Sequence, residues 1–280
     1  MANVKTHQKI AKALLLAAAI STVIILAVIL GYIFIEGIKH VNLDFLLDKP
    51  RKMGARGGIF PVIVGTVYFT VLTLVIATPI GVGAAIYLNE YTREGPLTRL
   101  IRFGTDALAG IPSIVFGLFG FTFFVILLAP ITKGWSLVSG SLTAATMILP
   151  TIIRTSEEAL KTVPPSYREG SLALGATKWQ TIARVVLPSA IPGIITGIIL
   201  SIGRVVGETA ALMLTLGGSL RMPDGVFDQA RTMSMHLYLV AMEVGAMDKA
   251  FATATVLIVT ILIINLSANW LMKRFISKMS

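Results

Sequence analysis

The stretch that decides the fold reads Pro164-Pro165-Ser166-Tyr167-Arg168-Glu169-Gly170-Ser171-Leu172-Ala173-Leu174-Gly175-Ala176-Thr177-Lys178-Trp179-Gln180-Thr181-Ile182-Ala183-Arg184-Val185-Val186-Leu187-Pro188. The two prolines end whatever helix precedes them, since proline has no amide to donate and restricts its neighbour. Ser166 with Glu169 makes a capping-box pattern, and Thr177 with Gln180 makes a second. Gly175 between them suits the left-handed residue on which helices often end. The expectation is two short helices hinged at Gly175, the first from Tyr167 to about Leu174 and the second stopping at Leu187-Pro188. Tyr167, Leu172, Leu174 and Trp179 are available to anchor the protrusion.

Working outward, this polar segment is an island in an apolar chain. Of 280 residues, 55% are hydrophobic and 14% charged, a balance outside that of ordinary soluble domains. Ala13 to Ile35, Gly57 to Asn89, Ala107 to Thr132, Gly134 to Ile153 and Ala250 to Met272 contain no Asp, Glu, Lys or Arg. Each can cross a bilayer, which needs about 20 apolar residues. A sixth span, Ser189 to Thr215, is broken only by Arg204 and Glu208.

The expected fold is therefore an all-α membrane domain over residues 1-280. Its six helices fall near 12-36, 60-89, 106-131, 137-156, 189-215 and 249-272, with a cytoplasmic loop at 157-188. The first helix is too long for a signal-peptide core and is read as retained.

The net charge of +10 is explained by topology rather than by nucleic acid. With both termini cytoplasmic, the inner segments carry 14 Lys/Arg and the outer ones nine, as the positive-inside rule requires. No cysteine is present, which excludes disulfides and thiolate metal sites. No metal site is expected, because His7, His40 and His236 lie far apart in sequence and read as surface residues.

Two stretches interrupt the spans. Gly110-Ile111-Pro112-Ser113, followed by Gly117 and Gly120, loosens helix 3. Irregular backbone at membrane depth needs protein or water to satisfy it, so this segment either faces the interior or is a simple proline kink. In helix 5, Gly193, Gly197, Ser201, Arg204 and Glu208 share one stripe on an ideal helical wheel. Small stripes mark close helix packing. Either Arg204 and Glu208 form an i,i+4 ion pair, or Arg204 offers its guanidinium fork to an anionic substrate while Glu208 holds it or binds a proton.

The island resembles the cytoplasmic motif of ABC importer permeases, written EAA, three residues, G, nine residues, I, one residue, LP. The matching positions are Glu169-Gly170-Ser171, Gly175, Val185 and Leu187-Pro188, with every interval preserved. This resemblance implies a type I importer permease whose Ser166, Tyr167, Glu169, Gly170, Ser171, Gly175, Leu187 and Pro188 couple to an ATPase. No G-x-x-x-x-G-K-[ST] phosphate loop occurs in the chain, so ATP hydrolysis would fall to a partner.

The segments 110-117 and 203-210, the latter ending Gly207-Glu208-Thr209-Ala210, resemble the phosphate importer permeases, more the PstA type than the PstC type. Ala211-Leu212 departs from the proline-leucine that often follows there. What this resemblance implies is a transporter subunit rather than an enzyme, sited in the cell (inner or plasma) membrane and in contact with its lipid. Its partners would be two ATPase subunits that bind ATP and Mg, a second permease of PstC type and an external phosphate-binding protein. The chain itself would hold no cofactor. A pathway through Arg204, Glu208, Thr209, Pro112 and Ser113 would carry the anion. Related importers of sulfate, molybdate or tungstate, and a secondary transporter driven by an ion gradient, are the alternatives.

Overall fold

The computed structural model describes residues 2–93 and 95–279. It is helical almost throughout. Helix α1 (Ala2–Ile38) leads through the short α2 (Leu43–Leu47) to a hairpin of two-residue strands, β1 (Pro50–Arg51) paired antiparallel with β2 (Arg56–Gly57). α3 (Phe60–Ile86) ends in a wide π-helical turn, Tyr87–Tyr91. α4 (Pro96–Ala109), α5 (Ser113–Gly120), a second wide turn at Phe121–Leu127 and α6 (Ala129–Thr132) follow. α7 (Leu137–Lys161) is continuous, and α8 (Pro165–Ala173) and α9 (Lys178–Thr181) form the polar island. A third wide turn at Ile182–Val186 joins α9 to α10 (Leu187–Val206). α11 (Ala210–Thr215), α12 (Met233–Leu239), a fourth wide turn at Val240–Val244 and α13 (Met247–Met279) complete the chain.

Among the described residues, five helical stretches are long and apolar enough to cross a membrane: His7–Ile38, Phe60–Tyr91, Leu137–Lys161, Lys178–Val206 and Met247–Arg274. The remaining expected span, at 106-131, is a broken pair. Pro96–Ala109 and Ser113–Leu127 meet at 104°, which corrects the single helix expected over 106-131. Pro112 excludes α geometry at Ile111 and has no amide to continue the ladder. The freed groups are taken up by short turns, Gly110 donating to Ala107 at 3.1 Å and Ile111 to Leu108 at 3.2 Å. This is an interruption of the helix rather than a kink.

The preceding α4 holds to α7 by polar contacts. Arg102 meets Glu157 at 2.7 Å and Arg154 meets Asp106 at 3.4 Å, while Leu97, Leu100 and Phe103 stay exposed. The span expected at 189-215 differs too. Its helix begins at Lys178 and stops at Val206, with Gly207, Glu208 and Thr209 outside it.

α7 lies at the centre. Phe69 and Ala77 of α3, Leu137, Ala144, Met147, Ile148 and Ile152 of α7, Val205 of α10 and Leu212 of α11 form one buried cluster. Close approach depends on missing side chains. A Cβ on Gly193 would meet the methyl of Ala159 at 2.5 Å, and one on Gly197 would collide with Thr155. The small stripe read on helix 5 therefore packs on α7, as small residues do where membrane helices cross closely. Buried threonines of α3 return their hydroxyls to the carbonyl four residues back, Thr66 to Val62 and Thr73 to Phe69, both at 2.8 Å. These two hydroxyls are thereby satisfied in an apolar setting.

His7 and His40 are exposed as expected, but His236 is not. It is 1% exposed on α12, packed beneath the hairpin so that a Cβ on Gly54 would lie 2.6 Å from its ring. The apolar run of α12 buries whatever residue falls on its inner face, and the ring happens to fall there.

Candidate functional site

The polar island is built largely as the sequence predicts, with two corrections. Thr177 and Gln180 form their reciprocal capping box: the Thr177 amide donates to the Gln180 carboxamide at 2.8 Å, and the Gln180 amide to the Thr177 hydroxyl at 3.3 Å. Gly175 sits at φ +84° and ends α8. Its amide donates to Leu172 at 3.0 Å, and that of Ala176 to Ser171 at 3.2 Å, the pair of bonds that closes a helix through a left-handed residue.

The first capping box does not form. α8 starts at Pro165, whose fixed φ suits a first helical position, so Ser166 lies inside the first turn and Pro164 takes the cap without a side-chain bond. The second helix does not stop at Leu187-Pro188 either. The wide turn lets the Leu187 amide reach Ile182, five residues back, which gives the Pro188 ring room inside a continuing helix. Ser189 then donates its hydroxyl to Val185 at 2.7 Å.

The aromatic and aliphatic residues expected as anchors instead face outward. Tyr167, Leu172, Trp179 and above all Leu174, at 91% exposed, present an apolar surface beside the exposed Ser166, Glu169, Gly170 and Gly175. A protrusion with an apolar, aromatic tip has the chemistry found at protein-docking surfaces. Arg168, which sequence reasoning passed over, anchors it. Its guanidinium donates to Glu90 at 2.7 Å, to the Val163 carbonyl at 2.8 Å and to the Leu160 carbonyl at 3.0 Å. Ser171 and Thr181 add a hydroxyl pair at 2.9 Å.

The second candidate region lies where two interruptions meet. α5 packs on α11, with Gly117 against Ala211 and Gly120 against Thr143 of α7. These contacts bring the segment after Pro112 and Ser113 beside the segment after Glu208 and Thr209. The ion pair between Arg204 and Glu208 is absent among the described residues. Glu208, 8% exposed, accepts the Ala211 amide at 3.0 Å, and its carbonyl accepts the Ser234 hydroxyl at 2.5 Å. The helix ends at Val206, so Glu208 leaves the wheel on which it was aligned with Arg204. Arg204 is exposed and has no hydrogen-bond or ionic partner among the described residues. Pro112 is exposed, and Ser113 and Thr209 are half-buried.

Residues 77–280 match the family described as binding-protein-dependent transport system inner membrane component. The chain is 35% identical over 286 residues to the probable ABC transporter permease protein YqgI of Bacillus subtilis, covering 96% of each. It is 38% identical over 224 residues to the phosphate transport system permease protein PstA 1 of Mycobacterium tuberculosis, covering 79% of this chain and 72% of that one. A crystal structure of a bacterial alginate ABC transporter bound to its periplasmic protein shares the fold at a TM-score of 0.69 and 17% identity, over 95% of this chain and 96% of the other. Spans, protruding hairpin and these likenesses agree: this multi-pass membrane chain belongs to the binding-protein-dependent transport system inner membrane component family, the permeases of ABC importers.

Proposed function

We propose that this chain is one of two permeases in an ATP-driven importer of inorganic phosphate, of the PstA type and paired with a homologous PstC-type permease. In this reading α8 docks on the ATPase subunits, which bind ATP and Mg, and a phosphate-binding protein delivers substrate from the other side. Both termini lie in the cytoplasm.

The observation that carries the coupling role is the exposed tip of α8 together with its left-handed stop at Gly175. The phosphate assignment is supported by likeness to phosphate permeases over more than two thirds of the chain and by the exposed guanidinium of Arg204, which has no partner among the described residues. A fork of fixed donors suits oxyanion oxygens. Pro112, Ser113, Thr209 and Glu208 would frame the path, with Glu208 shaping it through the start of α11. The test is uptake of labelled phosphate by the reconstituted complex. Arg204→Gln should abolish uptake while the ATPase still co-purifies, and full uptake by that variant removes Arg204 from the pathway.

A further inference from the structure

The docking surface described above explains where an ATPase would push, but not how the push reaches the membrane. The tip itself is poorly connected: Tyr167, Leu172, Leu174 and Trp179 are all exposed, and α8 has no buried residue. A helix without a buried face transmits force only through specific contacts. Arg168 supplies the most extensive of these. It is half-buried, and Glu90, opposite it, is 8% exposed at the side chain.

The two elements meeting at Arg168 are the ends of α3 and α7. Glu90 lies in the wide turn that finishes α3. Its Oε1 accepts from Arg168 Nη2 at 2.7 Å and from Nε at 3.2 Å, Oε2 accepts from Nε at 3.3 Å, and the Asn89 side-chain Nδ2 donates to Oε1 at 2.8 Å. Leu160 and Val163, whose carbonyls take two further guanidinium donors, lie in the last turn of α7 and just beyond it. Those carbonyls belong to the negative end of a helix and favour a cation. One side chain thus joins α8 to both α3 and α7, the two helices that form the centre of the core. A cavity lined by Glu90, Arg168, Leu172, Lys178, Thr181 and Ile182 lies beside the pair.

We infer that the Arg168–Glu90 pair is the latch through which movement of α8 is transmitted to α3 and α7, so that both residues act as positioning residues for coupled transport. This rests on the ATP-driven reading. Loosening the latch leaves the docking tip intact, so the partner still binds and hydrolyses ATP, but fewer strokes open the membrane path.

The test uses the complete reconstituted complex and reads phosphate imported per ATP hydrolysed. Wild type is measured first: no ATP-driven phosphate uptake there overturns the functional reading itself, whatever the latch does. With wild type active, Glu90→Ala is expected to lower the ratio about tenfold and Glu90→Gln, which keeps size and a neutral acceptor, about threefold, with the ATPase still co-purifying. An unchanged ratio in assembled Glu90→Ala overturns the latch. If Glu90→Ala fails to assemble, an unchanged ratio in Glu90→Gln does so. A further arm uses the absence of native cysteine. Glu90→Cys with Arg168→Cys should be uncoupled when free and recover at least half the wild-type ratio when joined by a short bis-thiosulfonate. Failure of the joined pair to recover overturns transmission through this point.

Discussion

Glu208 gives its carboxylate to the Ala211 amide, 3.0 Å away, and is thereby committed to the start of α11 rather than to Arg204. Four residues apart on an unbroken helix the two charges would neutralise each other. The stop at Val206 separates them, and the exposed Arg204 is left without a partner among the described residues. The roles of the two residues therefore come apart under mutation. Glu208→Gln, whose carboxamide oxygen can still accept the amide, should keep most phosphate uptake. Glu208→Ala should cost about 1 kcal/mol, as lost helix caps do, and lower uptake with it. Equal loss in both variants would mean that the charge, not the cap, is what matters.

Gly197 faces Thr155 without room for a Cβ. Gly197→Val should destabilise the packed chain by roughly 1–3 kcal/mol through overpacking, read as a lower midpoint of thermal unfolding in detergent. Adding Thr155→Ala should recover part of that loss, because the same space is contested by both side chains.

At Gly175 the constraint is conformational rather than steric. Its φ is +84° and a Cβ there would meet nothing within 4 Å. Gly175→Val should therefore strain the hinge by about 1–2 kcal/mol and uncouple ATP hydrolysis from transport. Gly175→Asn, which tolerates the left-handed region, should behave close to wild type. Phosphate imported per ATP distinguishes the two.

Trp179 and Tyr167 stand free at the hairpin. Replacing either by alanine should weaken association with the ATPase about tenfold, equivalent to roughly 1.4 kcal/mol. Stability of the isolated chain should hardly change, since neither side chain packs in its core. Pull-down titration of the purified partners measures the first, and thermal unfolding the second.

His236 makes stability depend on pH. It lies on α12, outside the spanning helices, and burial, assisted by the neighbouring Arg231 guanidinium, lowers its pKa to about 4. Below the unfolded value near 6.5 the unfolded chain binds a proton that the folded chain resists. The stabilisation is thus complete above pH 6.5 and is lost progressively as pH falls toward 4, up to about 3 kcal/mol in all. Thermal midpoints measured from pH 7 to pH 4.5 should fall for wild type and flatten for His236→Leu.

Much of this was legible in the residues, and the failures share a cause. Uncharged runs located the spans because the bilayer demands them, and the Thr177-Gln180 box and Gly175 were legible because caps are local. What escaped depended on contacts distant in sequence. Arg168 reads as one more loop cation until Glu90, 78 positions earlier, is brought against it. The first cap was misplaced by two positions, at Ser166 instead of Pro164, because Pro165 itself opens the helix. The wheel that aligned Glu208 with Arg204 assumed a helix that the chain interrupts at Gly207. The wide turns at Tyr87–Tyr91 and Ile182–Val186 leave no signature in hydrophobic period, yet one carries Glu90 to the end of α3 and the other leads the polar hairpin into α10.

The most direct test of the account places this chain, a PstC-type permease, the ATPase and the phosphate-binding protein in liposomes and follows labelled phosphate as ATP is supplied to the cytoplasmic face. Uptake should require ATP, the binding protein and an intact Arg204, and excess sulfate or molybdate should not compete. Phosphate entry that proceeds without the ATPase, or a complex that carries sulfate or molybdate in preference to phosphate, would contradict it.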